Sequence, residues 1–116
     1  MNLRALAAIF AVACVPTAAS AHAFLKRAQP SAGATLVSAP TRVALAFSEK
    51  LEPAFSGMTV TDPAGHSVAT GAAVVDGVSM IVSLRPLAAS TYRVTWHAVS
   101  VDTHRTEGAY SFTVKP

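Results

Sequence analysis

Residues 91–100 alternate apolar and polar side chains with a period of two, and this pattern limits the possible folds more than any other feature. Tyr92, Val94 and Trp96 fall on one face of the segment, whereas Arg93 falls on the other. Such alternation is typical of a β-strand that is buried on one side only. We therefore expect a strand here, with Trp96 as the central residue of a hydrophobic core.

Five other segments also have the composition of strands, namely residues 42–48, 58–61, 72–75, 78–84 and 108–114. Asp76-Gly77 separates two of these segments and is a strong signal for a two-residue hairpin turn. No segment after residue 21 shows a convincing helical period. Short strands with regular turn signals, in about a hundred residues, predict one antiparallel two-sheet sandwich domain.

The first 21 residues have the order of a secretory signal peptide. Arg4 precedes an apolar run at residues 5–15, and a segment of small residues ends at Ala21. The run is shorter than the roughly 20 apolar residues that a membrane-spanning helix needs. We therefore expect export, removal of this leader, and a soluble mature domain that follows it.

Two cleavage positions satisfy the small-x-small rule, and they give different first residues. Cleavage after Ala21 leaves His22 first, whereas cleavage after Ala23 leaves Phe24 first. The leader pattern alone does not separate the two. The only cysteine, Cys14, lies within the leader, so the mature chain would have neither a disulfide nor a thiolate ligand.

The charged and nucleophilic residues argue against two broad functions. Nine Lys and Arg residues accompany six Asp and Glu residues, and the basic side chains are scattered rather than clustered with aromatic ones. This distribution does not support binding to a nucleic acid. No nucleophile elbow or ordered Ser-His-Asp triad is present, which argues against a hydrolase.

Asp102-Thr103-His104 is the arrangement most suited to binding a metal ion. Residues two apart in an extended chain point to the same side, so the Asp102 carboxylate and the His104 imidazole can reach one point. The alternative is an Asx-type loop, in which Asp102 caps backbone amides and His104 is merely exposed. The spacing alone leaves both interpretations open.

His22 adds further ligands if it begins the mature chain. Its α-amine has an ordinary pKa of about 7.7–8.0, so a metal can displace the proton near neutral pH and bind the amine together with the imidazole. With His104 this makes three nitrogens, a set that suits copper(II), and Asp102 would supply an anionic oxygen. Alternatively, His22 is only the residue next to the cleavage point and has no role.

The chain resembles the CopC family of periplasmic copper-binding proteins. The resemblance covers essentially the whole mature chain, including residues 29–33 and 43–49, and it is most specific in residues 92–104, followed by 108–114. It implies an immunoglobulin-like, cupredoxin-like Greek-key β-sandwich of about seven strands. It also implies removal of residues 1–21, which leaves His22 first in a mature domain of residues 22–116.

The same resemblance implies a function and a set of ligands. One copper(II) ion would be bound by His22, Asp102 and His104. The protein would be a monomeric periplasmic carrier or buffer in copper resistance or homeostasis, and it would pass copper to an inner-membrane partner of the CopD type.

Four further residues have possible roles in metal binding. Some family members bind copper(I) on a methionine-rich loop, but here residues 55–71 offer only Met58 and His66, so we expect no such site and a solvent-facing His66. His97 could assist as a further or alternative ligand, or it is a histidine on a sheet surface. Glu49 could orient a ligand by a hydrogen bond, or it is an ordinary charge at a strand end.

Two other functions are compatible with the pattern. An N-terminal histidine chelate with a second histidine is also the metal arrangement of copper monooxygenases, but Asp102 would fill a position that oxygen activation needs open. A plain immunoglobulin-like interaction module with incidental histidines would bind no metal tightly. We expect a carrier rather than an enzyme.

Overall fold

The computed structural model describes residues 24–116, which fold into eight β-strands and one short 3₁₀ turn. The leader and His22 lie outside these residues. The 3₁₀ turn spans Pro53–Phe55, and the strands are β1 (Leu25–Gln29), β2 (Thr35–Leu36), β3 (Arg42–Phe47), β4 (Gly57–Thr61), β5 (Val74–Asp76), β6 (Ser79–Ser83), β7 (Ser90–Val99) and β8 (Arg105–Val114). No helix in this part of the chain is long and apolar enough to cross a membrane.

The strands form two four-stranded sheets packed face to face. One sheet has the order β1-β3-β6-β5, and all of its pairs are antiparallel. The other has the order β2-β8-β7-β4, in which only the short β2 runs parallel to its neighbour. The prediction of an all-β sandwich is therefore confirmed.

The core follows the period-two pattern of β7. Tyr92, Val94, Trp96 and Ala98 are all buried, with Trp96 8 % exposed and the other three less. β3 shows the same alternation, with three of its residues pointing into the core. Because inward positions meet between the sheets, one contiguous apolar cluster holds the two layers together.

The structure differs from the sequence prediction in the start of β8, in one turn and in two further strands. β8 begins at Arg105 rather than at residue 108, because its pairing with β7 continues to the end of that strand. The hairpin turn is Gly77-Val78 rather than Asp76-Gly77, since Asp76 still pairs with Ser79 and Gly77 takes the positive φ of 64°. β1 and β2 were not predicted, and they bring the strand count to eight.

Gly108 leaves room for the indole of Trp96 on the neighbouring strand. The two residues are directly paired between β7 and β8. A Cβ atom on Gly108 would lie 2.7 Å from Cζ2 and 2.9 Å from Cε2 of Trp96. The indole also contacts Phe47 of the opposite sheet edge to face, with ring centroids 5.1 Å apart. The missing side chain at position 108 therefore sets the position of Trp96 in the core.

We predict that Gly108→Ala destabilises the protein by about 1–3 kcal/mol, the usual effect of overpacking a core. The matched control is Gly71→Ala, because nothing lies within 4 Å of a Cβ at that position. Urea unfolding followed by the fluorescence of Trp96, the only tryptophan, measures both variants. Equal stability of Gly108→Ala and the parent would contradict the packing described above.

Candidate metal centre

The loop between β7 and β8, residues 100–104, presents two of the predicted ligands at one end of the sandwich. The Ser100 amide donates to the His104 carbonyl at 2.9 Å, and the Thr103 amide donates to the Ser100 carbonyl at 2.8 Å. These two bonds close the loop immediately beyond the strand ladder. Asp102 and His104 are therefore held on a short connection whose ends are fixed by β7 and β8.

Thr103 has an unusual backbone conformation between the two ligands. Its φ is 73°, in the left-handed region that β-branched residues rarely adopt. Three-residue hairpin loops commonly place glycine at such a position. The Thr103 hydroxyl donates to the carbonyl of Asp102. Backbone strain is therefore located between the two candidate ligands, as is common at functional sites.

The structure brings the side chains of Asp102 and His104 together. Nδ1 of His104 lies 3.3 Å from Oδ1 of Asp102, and the two side chains are 48 % and 44 % exposed. The His104 backbone amide also bonds to the Asp102 carboxylate, which gives the loop some of the Asx character of the alternative interpretation. The pair is thus preformed, and solvent reaches both members.

Ser100 is a functional residue that sequence analysis missed. It is fully buried, and its hydroxyl donates to Oδ1 of Asp102. This bond is the main reason that the pKa of Asp102 lies below its ordinary value, and His104 contributes in the same direction. The serine two residues before the aspartate was a possible signal, but only burial shows that its hydroxyl is directed to the carboxylate.

The start of the described chain lies at the same end of the sandwich as this loop. The Phe24 amide donates to Oγ of Ser48 at 2.8 Å, and the Ser48 amide donates to the Phe24 carbonyl at 2.9 Å. Two residues further on, the Lys50 carbonyl accepts a bond from the Val101 amide at 3.0 Å. The segment after β3 therefore connects the beginning of β1 to the Asp102 loop.

His97 and Glu49 lie near this end of the fold. His97 pairs with Gly57 and Glu107, and its imidazole covers Gly57, where an added Cβ would lie 3.1 Å from Cε1. Its half-buried side chain is on the face opposite Trp96, as predicted. Glu49 is half-buried in the segment after β3. The possible contributions of both residues to a metal site stay predictions.

Met58 and His66 occupy different environments. Met58 is 7 % exposed and belongs to the core. The His66 side chain is 77 % exposed, and its Nδ1 lies 3.9 Å from Oδ2 of Asp62, which agrees with the predicted solvent-facing position. The Asp62 carboxylate accepts bonds from the backbone amides of Ala64 and His66 and therefore stabilises this turn.

Asp102 and His104 do not form a complete metal site within residues 24–116. In this part of the chain, no three His, Cys, Asp or Glu side chains form a group that could hold a metal ion. A copper or zinc site normally has more than two ligands. The third predicted ligand, His22, lies outside the described residues.

Comparison with known proteins decides the family of the chain. The CopC domain matches residues 25–115, from the beginning of β1 to the residue after β8. The chain belongs to the CopC family. Copper resistance protein C of Escherichia coli is 46 % identical over 111 residues, which cover 87 % of each chain. The predicted family membership is confirmed.

Solved structures of CopC proteins have the same fold. CopC from Methylosinus trichosporium OB3b superimposes with a TM-score of 0.76 and 34 % identity, covering 82 % of this chain and 95 % of that one. PcoC from Escherichia coli, a methionine-rich copper resistance protein, superimposes with a TM-score of 0.69 and 44 % identity, covering 82 % of this chain and 100 % of that one.

A longer relative contains a segment similar to this CopC-family chain. The copper transport protein CutJ of Bacillus subtilis is 31 % identical over 104 residues. The match covers 86 % of this chain but only 19 % of CutJ. A CopC-like segment therefore forms about one fifth of that protein.

We predict that Ser100→Ala raises the pKa of Asp102 in the metal-free protein toward its ordinary value of 3.8, because the hydroxyl no longer stabilises the carboxylate. The parent carboxylate stabilises the fold above that ordinary pKa, and this contribution is lost as pH falls through the lowered value. Carboxyl resonances followed by NMR measure the change. The Asp62 carboxyl is the internal control and should keep its lowered pKa.

We predict that Thr103→Gly stabilises the metal-free protein by up to about 1 kcal/mol. Relief of a left-handed conformation is worth about 1–2 kcal/mol, and the added freedom of glycine in the unfolded chain offsets about half of that. The same substitution at Thr59, an exposed position of β4, should instead destabilise the sheet. Urea unfolding measures both variants. A loss of stability in Thr103→Gly would contradict strain at this position.

Proposed function

We propose that this protein is an exported copper(II) carrier or buffer whose mature chain begins at His22. One ion would be bound by the α-amine and imidazole of His22, by the His104 imidazole and by the Asp102 carboxylate. The observation that carries the proposal is the preformed contact between Asp102 and His104 at the end where the described chain begins. Membership of the CopC family and relatives named copper resistance protein C support it.

The geometry of the loop suits a nitrogen and oxygen donor set. Nδ1 of His104 and the Asp102 carboxylate face each other, so the two side chains offer a nitrogen and an oxygen to one position. Oδ1 of Asp102 already accepts the Ser100 hydroxyl, which leaves Oδ2 as the oxygen offered to the ion. An ion bound by both side chains would take the place of the proton between the imidazole and the carboxylate.

His22 is close enough in sequence to reach this pair. It precedes Phe24 by two residues, and an extended chain of that length spans about 7 Å. Phe24 is bonded to Ser48, and the carbonyl two residues later, at Lys50, is bonded to the Val101 amide beside Asp102. An extended continuation of β1 would thus lead the first residue toward the loop.

The chemistry of these donors favours copper(II) over copper(I). Imidazole, amine and carboxylate groups suit copper(II), whereas copper(I) prefers thiolate and thioether sulfur. PcoC is titled a methionine-rich protein, but this chain has three methionines in all, including Met1. The other two, Met58 and Met80, are both buried in the core.

A role in carrying copper agrees with the exposure of the site. About half of the surface of each ligand side chain is open to solvent, so an ion can be loaded and released. The proposal needs binding and release and assigns no catalysis. The order of the first 21 residues, which is that of a secretory signal peptide, supports a periplasmic location for this activity. A CopD-type protein of the inner membrane would be the recipient, and the CopC-like segment within the copper transport protein CutJ supports that partner.

The test is a copper(II) titration of the exported protein, whose intact mass first establishes whether it begins at His22. One equivalent of copper(II) should bind, as measured by competition with a chelator and by electron spin resonance. We predict that His104→Ala and Asp102→Asn each weaken binding by more than about tenfold. A chain beginning at Phe24 should weaken it further, because two nitrogen ligands are lost.

The matched control is His66→Ala, which removes an exposed histidine that also contacts an aspartate but lies at the opposite end of the fold. This variant should bind copper(II) as tightly as the parent. The site assignment would be wrong if His104→Ala kept the parent affinity, or if His66→Ala lost it.

A further inference from the structure

Four exposed apolar side chains are associated with the loops around the candidate metal centre. Phe24, Phe55, Val78 and Val101 are 48 %, 62 %, 39 % and 52 % exposed. They are four of the six large exposed hydrophobic residues in the described part of the chain. We refer to these four residues as the apolar rim. Exposed apolar groups that cluster, rather than scatter, mark interaction surfaces.

Backbone hydrogen bonds connect the apolar rim to the segment that follows β3. Phe24 is bonded to Ser48, and Val101 is bonded to Lys50. The Val78 carbonyl accepts from the Phe47 amide, while Phe55 donates its own amide to a carbonyl of the same segment, that of Glu52. All four therefore lie at the end of the sandwich that holds Asp102 and His104.

The other two exposed apolar residues do not belong to this group. Val74 is 67 % exposed and lies on β5, an edge strand that leads into the turn of Val78 and contacts the 3₁₀ turn of Phe55, so it is not a suitable control. Val37 is 78 % exposed and follows β2, which pairs with the last residues of β8. Val37 therefore offers an exposed valine at the opposite end of the sandwich from the candidate centre.

In the metal-free protein, acidic side chains outnumber basic ones on the loops that carry the rim. Glu49, Glu52, Asp76 and Asp102 lie on or beside them, against Lys26 and Lys50. Arg105 and Glu107, at the beginning of β8, form an ion pair with each other at 3.3 Å. The surface therefore combines apolar contacts with a negative charge, which would also attract a cation to the loop.

We propose that the apolar rim is a docking surface for a protein partner that exchanges copper with this chain. The partner would present an apolar patch bordered by lysine and arginine side chains, because charge complementarity selects the partner of an acidic surface. The inference rests on the proposed function and specifies its contact surface. Docking there would cover the Asp102 loop and bring the partner's own copper ligands beside it.

The charge of the surface argues against two other occupants. A bilayer rich in anionic lipids attracts basic surfaces and repels acidic ones. A second copy of this chain in a two-fold contact would place like charges opposite each other. In CutJ, a CopC-like segment belongs to the same chain as the rest of a copper transport protein. This covalent connection supports a protein, rather than a lipid surface, as the partner of the apolar rim.

The test is site-specific photocrosslinking in copper-treated cells of the source bacterium. A photoreactive phenylalanine analogue replaces Phe55 or Val78, and the control position is Val37. We expect both rim positions, but not the control, to crosslink one copper-handling protein identified by mass spectrometry. Adducts with a second copy of the chain, adducts with lipid only, or no adduct at either rim position would overturn the proposal.

The identified partner is then purified and its binding to the metal-free protein is measured, because a bound copper(II) ion would offset the negative charge of the surface. Val78→Asn, which removes an apolar contact without adding charge, should weaken binding by about tenfold or more, whereas Val37→Asn should not. Binding should also weaken with added salt. Equal binding by Val78→Asn and the parent would overturn the proposal.

Copper(II) titration of Val78→Asn separates this inference from the function on which it rests. The variant should bind copper(II) as the parent does, because Val78 is not a ligand. Normal copper binding with no rim-dependent crosslink would reject the docking surface alone. Failure of the parent protein to bind copper(II) would reject the proposed function and, with it, the inference.

Discussion

The ladder between β7 and β8 is the constraint on which the rest of the structure depends. Ten residue pairs hold these strands together, and a buried serine stands at the point where the ladder ends. The Ser100 amide closes the loop on His104, and its hydroxyl fixes the Asp102 carboxylate. The same ladder pairs Gly108 directly with Trp96 of the core, and it therefore joins the core to the loop. One hairpin therefore both organises the sandwich and orients two candidate ligands.

Most of the fold could be predicted from the sequence, because half-buried strands record their orientation as an alternation of side chains. The inward residues of β7 and β3 are those that the period-two pattern indicated. β1 and β2 escaped prediction because their burial patterns lack this alternation: β1 has only two half-buried residues and β2 one. Pairing with a neighbouring strand, which a local pattern does not contain, defines these two elements.

The candidate site was predictable in part. The spacing of Asp102 and His104 suggested that their side chains meet, and the structure shows the contact. Ser100 and Thr103 were not predicted, since a buried hydroxyl and a left-handed threonine depend on how the loop closes. The location of the beginning of β1 beside this loop also depends on tertiary pairing. His22 remains a proposal that rests on the sequence and on family membership.

The measurement that tests the account most directly is paramagnetic broadening of amide NMR signals by copper(II) in the exported protein. Copper(II) broadens nuclei near it, and β7 separates the Asp102 loop from the Asp62–His66 turn by roughly 20 Å. With less than one equivalent added, the amides of Asp102, Thr103 and Ser48 should disappear, while those of Gly65 and His66 stay sharp. Loss of the His66 signals first, or uniform broadening across the chain, would contradict a single copper centre at the β7–β8 loop.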